Sequence, residues 1–413
     1  MQSTIDFINT PVVDVVNKII LDSVKAGASD IHLDHAENYL KVRIRIDGIL
    51  NDYADIPNEV KNNVVTRIKI LSGMNITETR LPQDGAIKTE LGGLDLDMRV
   101  SSLPTKKGEK IVIRILDYSR SMQGIEYLFF SEENYKKILK MISAPNGIIL
   151  VTGATGSGKS TTVYSFLKKL NVKGTNLITV EDPVEMEIEG INQVQVNSDI
   201  GLDFATVLRS ILRQDPNVIM IGEIRDTETA QIAVRASITG HLVLSTLHTN
   251  NSLTTIERLL DMDVERYLLA SALSGVVSQK LARKLCDKCK KVRETTSYEK
   301  QLFKNYLGLD VNQTYEAVGC PECSGGYKGR IALQEVLLIS PNIRDAISSK
   351  ISKAELRELV YGDDVITLLQ DGLYKTIAGF TTIEEVVKLV ESDDELNAKT
   401  KIEHTQQKSN QFN

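Results

Sequence analysis

Gly153-Ala154-Thr155-Gly156-Ser157-Gly158-Lys159-Ser160 fits the pattern G-x-x-x-x-G-K-[ST]. Glycines at these positions let the backbone wrap closely around phosphate oxygens with its N–H groups turned inward. A helix that starts at the lysine adds its positive end to the same anion. Lys159 is expected to reach the β- and γ-phosphates, and the Ser160 hydroxyl to ligate Mg²⁺. With Thr161 beside it, Gly153 to Thr161 is the candidate nucleotide-binding set. The flanking segments supply the context the motif needs, since GIILVTG reads as a buried strand and KSTTVYSFLKKL as a helix.

Binding a nucleotide is not hydrolysing it, which requires a group that orients or deprotonates water. The apolar strand Val218-Ile219-Met220-Ile221 delivers Gly222-Glu223 at its carboxyl end, where ligands of parallel sheets sit. A strand of this kind ordinarily ends in an Asp that holds the magnesium water shell. Glu223 therefore reads as a water activator. Glu181, Asp182 and Glu185 follow a second strand, NLITV, and are placed either to position water and metal or to serve as ordinary turn acids. His241 and His248 bracket the strand HLVLSTL. Among Thr246, Thr249 and Asn250, His248 suits a γ-phosphate sensor, although a lone His is more often a hydrogen-bonded structural residue.

Every cysteine falls in one of two C-x-x-C units, Cys286/Cys289 and Cys320/Cys323. Two such turns supply the four sulfurs that structural zinc prefers, with no position left for water. A redox pair or unliganded thiols are the alternatives. The 30 residues between the units (290–319) exceed common zinc-ribbon spacing.

The elements that must position these groups follow from periodicity. Val12 to Lys25 has apolar residues at helical spacing. KVRIRIDGIL, AIKTEL, LDLDMRV and KIVIRIL alternate as strands, with turns at Asp47-Gly48 and Gly92-Gly93, and a helix falls near Asn58 to Leu71. This α+β region ends near Leu116, and a linker is expected around Asp117 to Gly124. Beyond it, short apolar strands alternate with helices such as DFATVLRSILRQ and TAQIAVRASI, which implies a parallel sheet covered on both faces. A helix-rich segment and a polar tail, expected to be disordered, close the chain.

Length and composition bound the rest. The 413 residues suggest two to four domains, and 42% hydrophobic with 25% charged content is that of an ordinary globular protein. A formal charge of −6 and the lack of a basic-aromatic run argue against a nucleic-acid partner. No apolar run approaches a bilayer span and the start lacks a signal-peptide pattern, so a cytoplasmic chain is expected, reaching any membrane through partners.

Together the segments SDIHLD, RLPQDG, DMRVSSLPTKKGEKIVIRIL, GATGSGKSTT, ITVEDPVE and LRQDPNVIMIGEIRDTETAQIAVRASITGHLVLSTLHTN, with the paired C-x-x-C units, resemble the GspE/PilB secretion ATPases of type II secretion and type IV pilus assembly. The likeness runs from about Ser29 to Ser392. It implies a PAS-like α+β domain (1–118), a RecA-like α/β ATPase core (119–285), a zinc-binding tetracysteine insertion (286–330), a helical C-terminal region (331–395) and a tail (396–413). It also implies ATP, Mg²⁺ and Zn²⁺ as cofactors. The implied assembly is a homohexamer docked on a polytopic inner-membrane platform protein of the GspF/PilC kind, with a membrane adaptor as a further partner. Thr179–Glu185 resembles the family's Asp box, Gly240–Asn250 its His box, and Glu223 its Walker-B glutamate. Arg99 and Arg114 match arginines that reach the nucleotide from the N-terminal domain. Two departures stand out. Many members carry a further domain ahead of the PAS-like one, for which this chain begins too late, and Lys110 stands where relatives often have Arg. Pilus-retraction ATPases usually lack the cysteine pairs, so the assembly or secretion branch is the more similar. The readings that compete with a motor are a nucleotide-regulated scaffold, which Glu223 disfavours, and a DNA translocase, which the charge disfavours.

Overall fold

The computed structural model describes residues 6–116, 124–349, 351–362 and 365–390. The expected tail, and the expected linker apart from Gly124, lie outside them. The chain divides into two compact units, Met1–Ser119 and Arg120–Asn413.

In the first unit, helix α1 (Val12–Lys25) is followed by strands β1 (Ala28–His35), β2 (Tyr39–Ile46) and β3 (Ile49–Pro57). Helix α2 (Asn58–Leu71) precedes β4 (Gln83–Leu91), β5 (Leu94–Thr105) and β6 (Gly108–Leu116). The six strands form an antiparallel sheet in the order β3-β2-β1-β6-β5-β4. Asp47-Gly48 and Gly92-Gly93 all have positive φ, the conformation of a two-residue hairpin turn. Strand alternation sends Ile31, Leu33, Val42, Met98 and Ile111 into one core with Val15, Val16, Ile19 and Ile20 of α1. Asp30, Asp34, Arg43, Lys110 and Arg114 fall on the other face. Among the described residues of this unit, the Lys69–Glu109 ion pair is buried beneath the sheet. Lys69 Nζ lies 2.7 Å from Glu109 Oε1, the Ser102 hydroxyl donates to the same oxygen at 2.9 Å, and the Glu78 carbonyl accepts from Lys69 at 2.7 Å. With its polar atoms satisfied in this way the pair is tolerated, whereas losing one partner of such a pair costs about 3–5 kcal/mol.

The second unit begins with α3 (Glu132–Ile142), β7 (Gly147–Thr152), α4 (Lys159–Leu170), β8 (Leu177–Glu181), β9 (Asn192–Gln195) and α5 (Phe204–Ile211). It continues with β10 (Val218–Ile221), α6 (Thr227–Ile238), β11 (Leu242–Leu247), α7 (Ser252–Asp261), α8 (Arg266–Ala272) and β12 (Leu273–Leu285). Then come β13 (Lys291–Glu294), α9 (Ser297–Leu307), β14 (Gln313–Glu316) and β15 (Tyr327–Leu338). Helices α10 (Pro341–Ser348), α11 (Lys353–Tyr361), α12 (Leu368–Ile377) and α13 (Ile383–Val390) complete the described chain.

Seven of these strands form a sheet in the order β15-β12-β7-β11-β10-β8-β9. All neighbours are parallel except the β12/β15 pair. Every residue of β7, β10 and β11 is buried, as expected for strands covered on both faces. Alternate residues of β7 feed two cores: Ile148 and Leu150 pack among residues of α5 to α8, Ile149 and Val151 among those of α3 and α4. A third core joins α9, α12 and α13 to the outer ends of β12 and β15. Strands β9, β12 and β15 go beyond the sequence reading, and β15 covers the first residues of the stretch expected to be helical. Among the described residues no helix is long and apolar enough to cross a membrane.

Candidate functional site

Four sequence-selected groups sit at one edge of the large sheet because each follows a parallel strand at its carboxyl end. The Gly153 loop follows β7, Glu181 closes β8, Glu223 follows β10 and His248 follows β11. The loop turns through Gly153, Gly156 and Gly158, which have φ of 146°, 80° and 89°. These are values an L side chain rarely adopts. Helix α4 then begins at Lys159 with Gly158 as its N-cap. Lys159 is buried and reaches back across the loop, donating to the carbonyls of Gly153 (2.9 Å) and Ala154 (3.2 Å). Desolvation lowers its pKa, and the nearby Glu223 carboxylate opposes that shift. Ser157 Oγ is buried with no hydrogen-bond partner among the described residues. Ala154, Thr155, Gly156 and Ser160 are exposed around the same loop, with Thr161 half-buried behind Ser160. Inward-turned backbone, a buried ammonium and an orphaned buried hydroxyl suit a polyphosphate, and the Ser160 hydroxyl at the helix start suits its magnesium.

Glu223 is mostly buried and doubly held. Arg225 forms a close ion pair with it, and His248 Nε2 lies 3.2 Å from its other oxygen. Partial desolvation pushes its carboxyl up, but Arg225 and His248 outweigh this and hold it below the ordinary carboxylate range. Arg225 also approaches the exposed Asp182 at 3.7 Å. It completes a charged cluster that motif reading missed, although it stands only two residues after Glu223. Glu181, in contrast, is enclosed. Tyr164 donates to one of its oxygens, and Thr179 Oγ1 (2.5 Å) and Gln193 Nε2 (3.1 Å) to the other. Burial, and after it the Glu181 charge, drives the Tyr164 hydroxyl pKa far up. His241 bonds the Ala236 carbonyl through Nδ1 at 2.9 Å, an ordinary structural role.

Arg99 and Arg114 belong to the first unit, where they are register partners on β5 and β6. Arg114 is 62% exposed in its side chain, with Nε 3.1 Å from Asp30 Oδ1. Lys110 and Arg43 both pair with Asp34.

The four cysteine sulfurs all lie within 4.8 Å of one another. Cys286–Cys320, Cys289–Cys323 and Cys320–Cys323 are 3.9, 3.7 and 3.6 Å apart. A tetrahedral zinc about 2.3 Å from each sulfur sets neighbouring sulfurs about 3.8 Å apart, so the set fits that ion. Each C-x-x-C is a tight turn closed by a backbone bond, from the Cys289 N–H to the Cys286 carbonyl and from the Cys323 N–H to the Cys320 carbonyl, both 3.2 Å. The long spacing is absorbed by antiparallel pairing of β13 with β14, which brings the two turns side by side. Burial and neighbouring thiols push Cys289 up to about 12. Desolvation pushes the Cys323 thiol up, but hydrogen bonds from Cys320 and Cys289 outweigh it and bring it down to about 7.

Comparison with known proteins agrees with this architecture. Residues 8–388 match the family model described as type II/IV secretion system protein. The chain is 44% identical over 389 residues to the putative type II secretion system protein E of Escherichia coli, covering 94% of this chain and 78% of that one. It is 45% identical to the type IV pilus assembly ATPase PilB of Thermus thermophilus, covering 90% of this chain and 42% of that one. Among solved structures, the pilus retraction motor PilT with bound ADP aligns with a TM-score of 0.61 at 26% identity, covering 90% and 96% of the two chains.

Proposed function

Because this chain belongs to the type II/IV secretion system protein family, we propose that it is an ATPase motor whose hydrolysis cycle drives pilus or pseudopilus assembly and protein secretion. What carries the reading is the convergence of a phosphate loop, two acids and a histidine at the carboxyl edge of one parallel sheet. The loop N–H groups and Lys159 hold the triphosphate. Magnesium, when bound beside Ser160, neutralises charge that builds up on the phosphoryl oxygens. Glu223 orients the attacking water, and Arg225 and His248 fix the direction of its carboxylate. Glu181 already has three donors, so its role is to anchor the segment after β8 and keep Asp182 near Arg225. Arg99 and Arg114 are the cations that offset the charge developing on the γ-phosphoryl group. The working assembly is a homohexamer in the cytoplasm, attached to the inner membrane through a polytopic platform protein and an adaptor.

The test of the nucleotide site is Lys159→Ala. Removing a buried positive contact to the phosphates is expected to weaken ATP binding by about tenfold or more, measured by equilibrium titration with a fluorescent ATP analogue. Unchanged affinity would remove the loop from the mechanism.

The sulfur cluster is the zinc site of this reading. Elemental analysis should find about one zinc per chain, and Cys320→Ser should lose it and expose the 286–330 segment to protease, because metal binding is coupled to folding of such a segment. Protein that carries no metal, with all four thiols freely reactive, would rule this out.

A further inference from the structure

The phosphate loop is held from behind by a residue that no motif marks. Gln279 lies on β12, 122 residues from Ser157 in sequence, with its side chain buried. Its Nε2 donates to the Ser157 carbonyl at 2.8 Å, and its Oε1 accepts from Thr162 Oγ1 at 2.8 Å. Its backbone carbonyl lies so close to Gly153 that a Cβ there would collide with it, and a Cβ on Gly158 would meet Nε2 at 3.1 Å. Next to it, Ser278 Oγ bonds Thr152 Oγ1 at 2.9 Å, at the register position where β12 pairs with the last residue of β7. Ser278 and Gln279 thus close one whole side of the loop.

Resting on the phosphate-loop reading above, we propose that Gln279 is a positioning residue that sets nucleotide affinity by aiming the Gly158 N–H at the phosphates. The Ser157–Gly158 peptide is planar and trans, so its carbonyl and its N–H point in opposite directions. Fixing the carbonyl on Gln279 turns the N–H away from β12, toward the side where Ala154, Thr155, Gly156 and Ser160 are exposed. A phosphate can approach only from that side, because the strand backbone fills the other. Gly158 has positive φ and no side chain to fix its orientation, so the peptide plane is free to rotate unless something outside the loop holds it. The bond from Thr162 steadies Gln279 without touching the loop peptide.

Three variants separate these effects. Gln279→Met keeps length and loses both bonds; Thr162→Val loses only the bond to the helix; Lys159→Ala reports on the loop itself. Affinity for a fluorescent ATP analogue, KM, kcat and the melting curve are measured for each. Gln279→Met is expected to weaken nucleotide binding about tenfold or more and to raise KM in proportion, with kcat within a few-fold. Thr162→Val should stay within about threefold in affinity. If Gln279→Met fails to fold, Gln279→Leu is read the same way. A lowered melting temperature with unchanged affinity means that Gln279 is a packing residue only, and the proposal falls while Lys159→Ala still shows its loss. Equal losses in Gln279→Met and Thr162→Val also overturn it, since the helix bond alone then accounts for the effect. If Lys159→Ala binds normally as well, the loop reading falls and takes this inference with it.

Discussion

Glu223→Gln is expected to leave ATP bound and to lower turnover about 10²-fold or more. The substitution keeps the shape of the side chain and an oxygen for Arg225, but removes the charge that attracts a water proton. The geometry suits this role better at Glu223 than at any other acid of the site. Glu181 is saturated by Tyr164, Thr179 and Gln193, and Asp182 lies exposed. Glu223 is mostly shielded, yet it is oriented by two cationic or donor groups and faces the same loop as Lys159. Its carboxyl is held below the ordinary carboxylate range, so it stays ionised as pH falls toward 4.5. Loss of hydrolysis from titration of this group should therefore appear only below that range. Single-turnover hydrolysis beside nucleotide titration decides the matter: normal turnover in Glu223→Gln would take the residue out of the reaction.

Arg225 shows where sequence reading stops. It is two residues from Glu223, but its role depends on where the turn after β10 sends its guanidinium, and no local pattern encodes that. Gln279 is further out of reach, since it acts on the phosphate loop only because β12 pairs with β7 in the sheet. Strand β12 was also hard to read, because Gln279, Lys280, Arg283 and Lys284 break the apolar run after Val277. Gln279 is nonetheless buried and satisfied by Ser157 and Thr162, and from there on β12 pairs with β15 and borders the C-terminal helices. The phosphate loop, in contrast, is contiguous, and its glycines at positive φ mark it in the sequence. Helices α1 and α2 were legible in the sequence at about their observed bounds, α1 from its apolar stripe, and each begins after a proline, Pro11 and Pro57. The sulfur cluster was legible as a set of ligands, while its closure required the β13/β14 ribbon, whose four-residue strands are too short for periodicity to reveal.

Arg114→Ala should cost more than any other change outside the phosphate loop, about 10³-fold or more in turnover, with Arg99→Ala following the same direction more weakly. As charge builds on the γ-phosphoryl oxygens, an arginine brought against them stabilises the transition state far more than it stabilises bound ATP. Arg114 can be spared for that purpose. Its Nε rests on Asp30, which also draws Arg45 at 3.7 Å, and the Arg114 side chain is largely exposed. Asp30 itself is buried, but Arg45 and the Ser29 hydroxyl stay on its carboxylate when Arg114 leaves, so the charge is not left unpaired. With those partners left on Asp30, Arg114→Ala should cost about 1 kcal/mol of folding stability, and the melting curve separates a chemical loss from a folding one. Nucleotide affinity should survive, since Lys159 and the loop backbone supply it. In this scheme loss of the γ-phosphate removes the charge that the arginines offset. Wild-type turnover per chain should then rise steeply with protein concentration as rings assemble, and the Arg114 variant should stay inactive at every concentration. Normal hydrolysis by both arginine variants would remove them from the reaction, even with the Lys159 result intact.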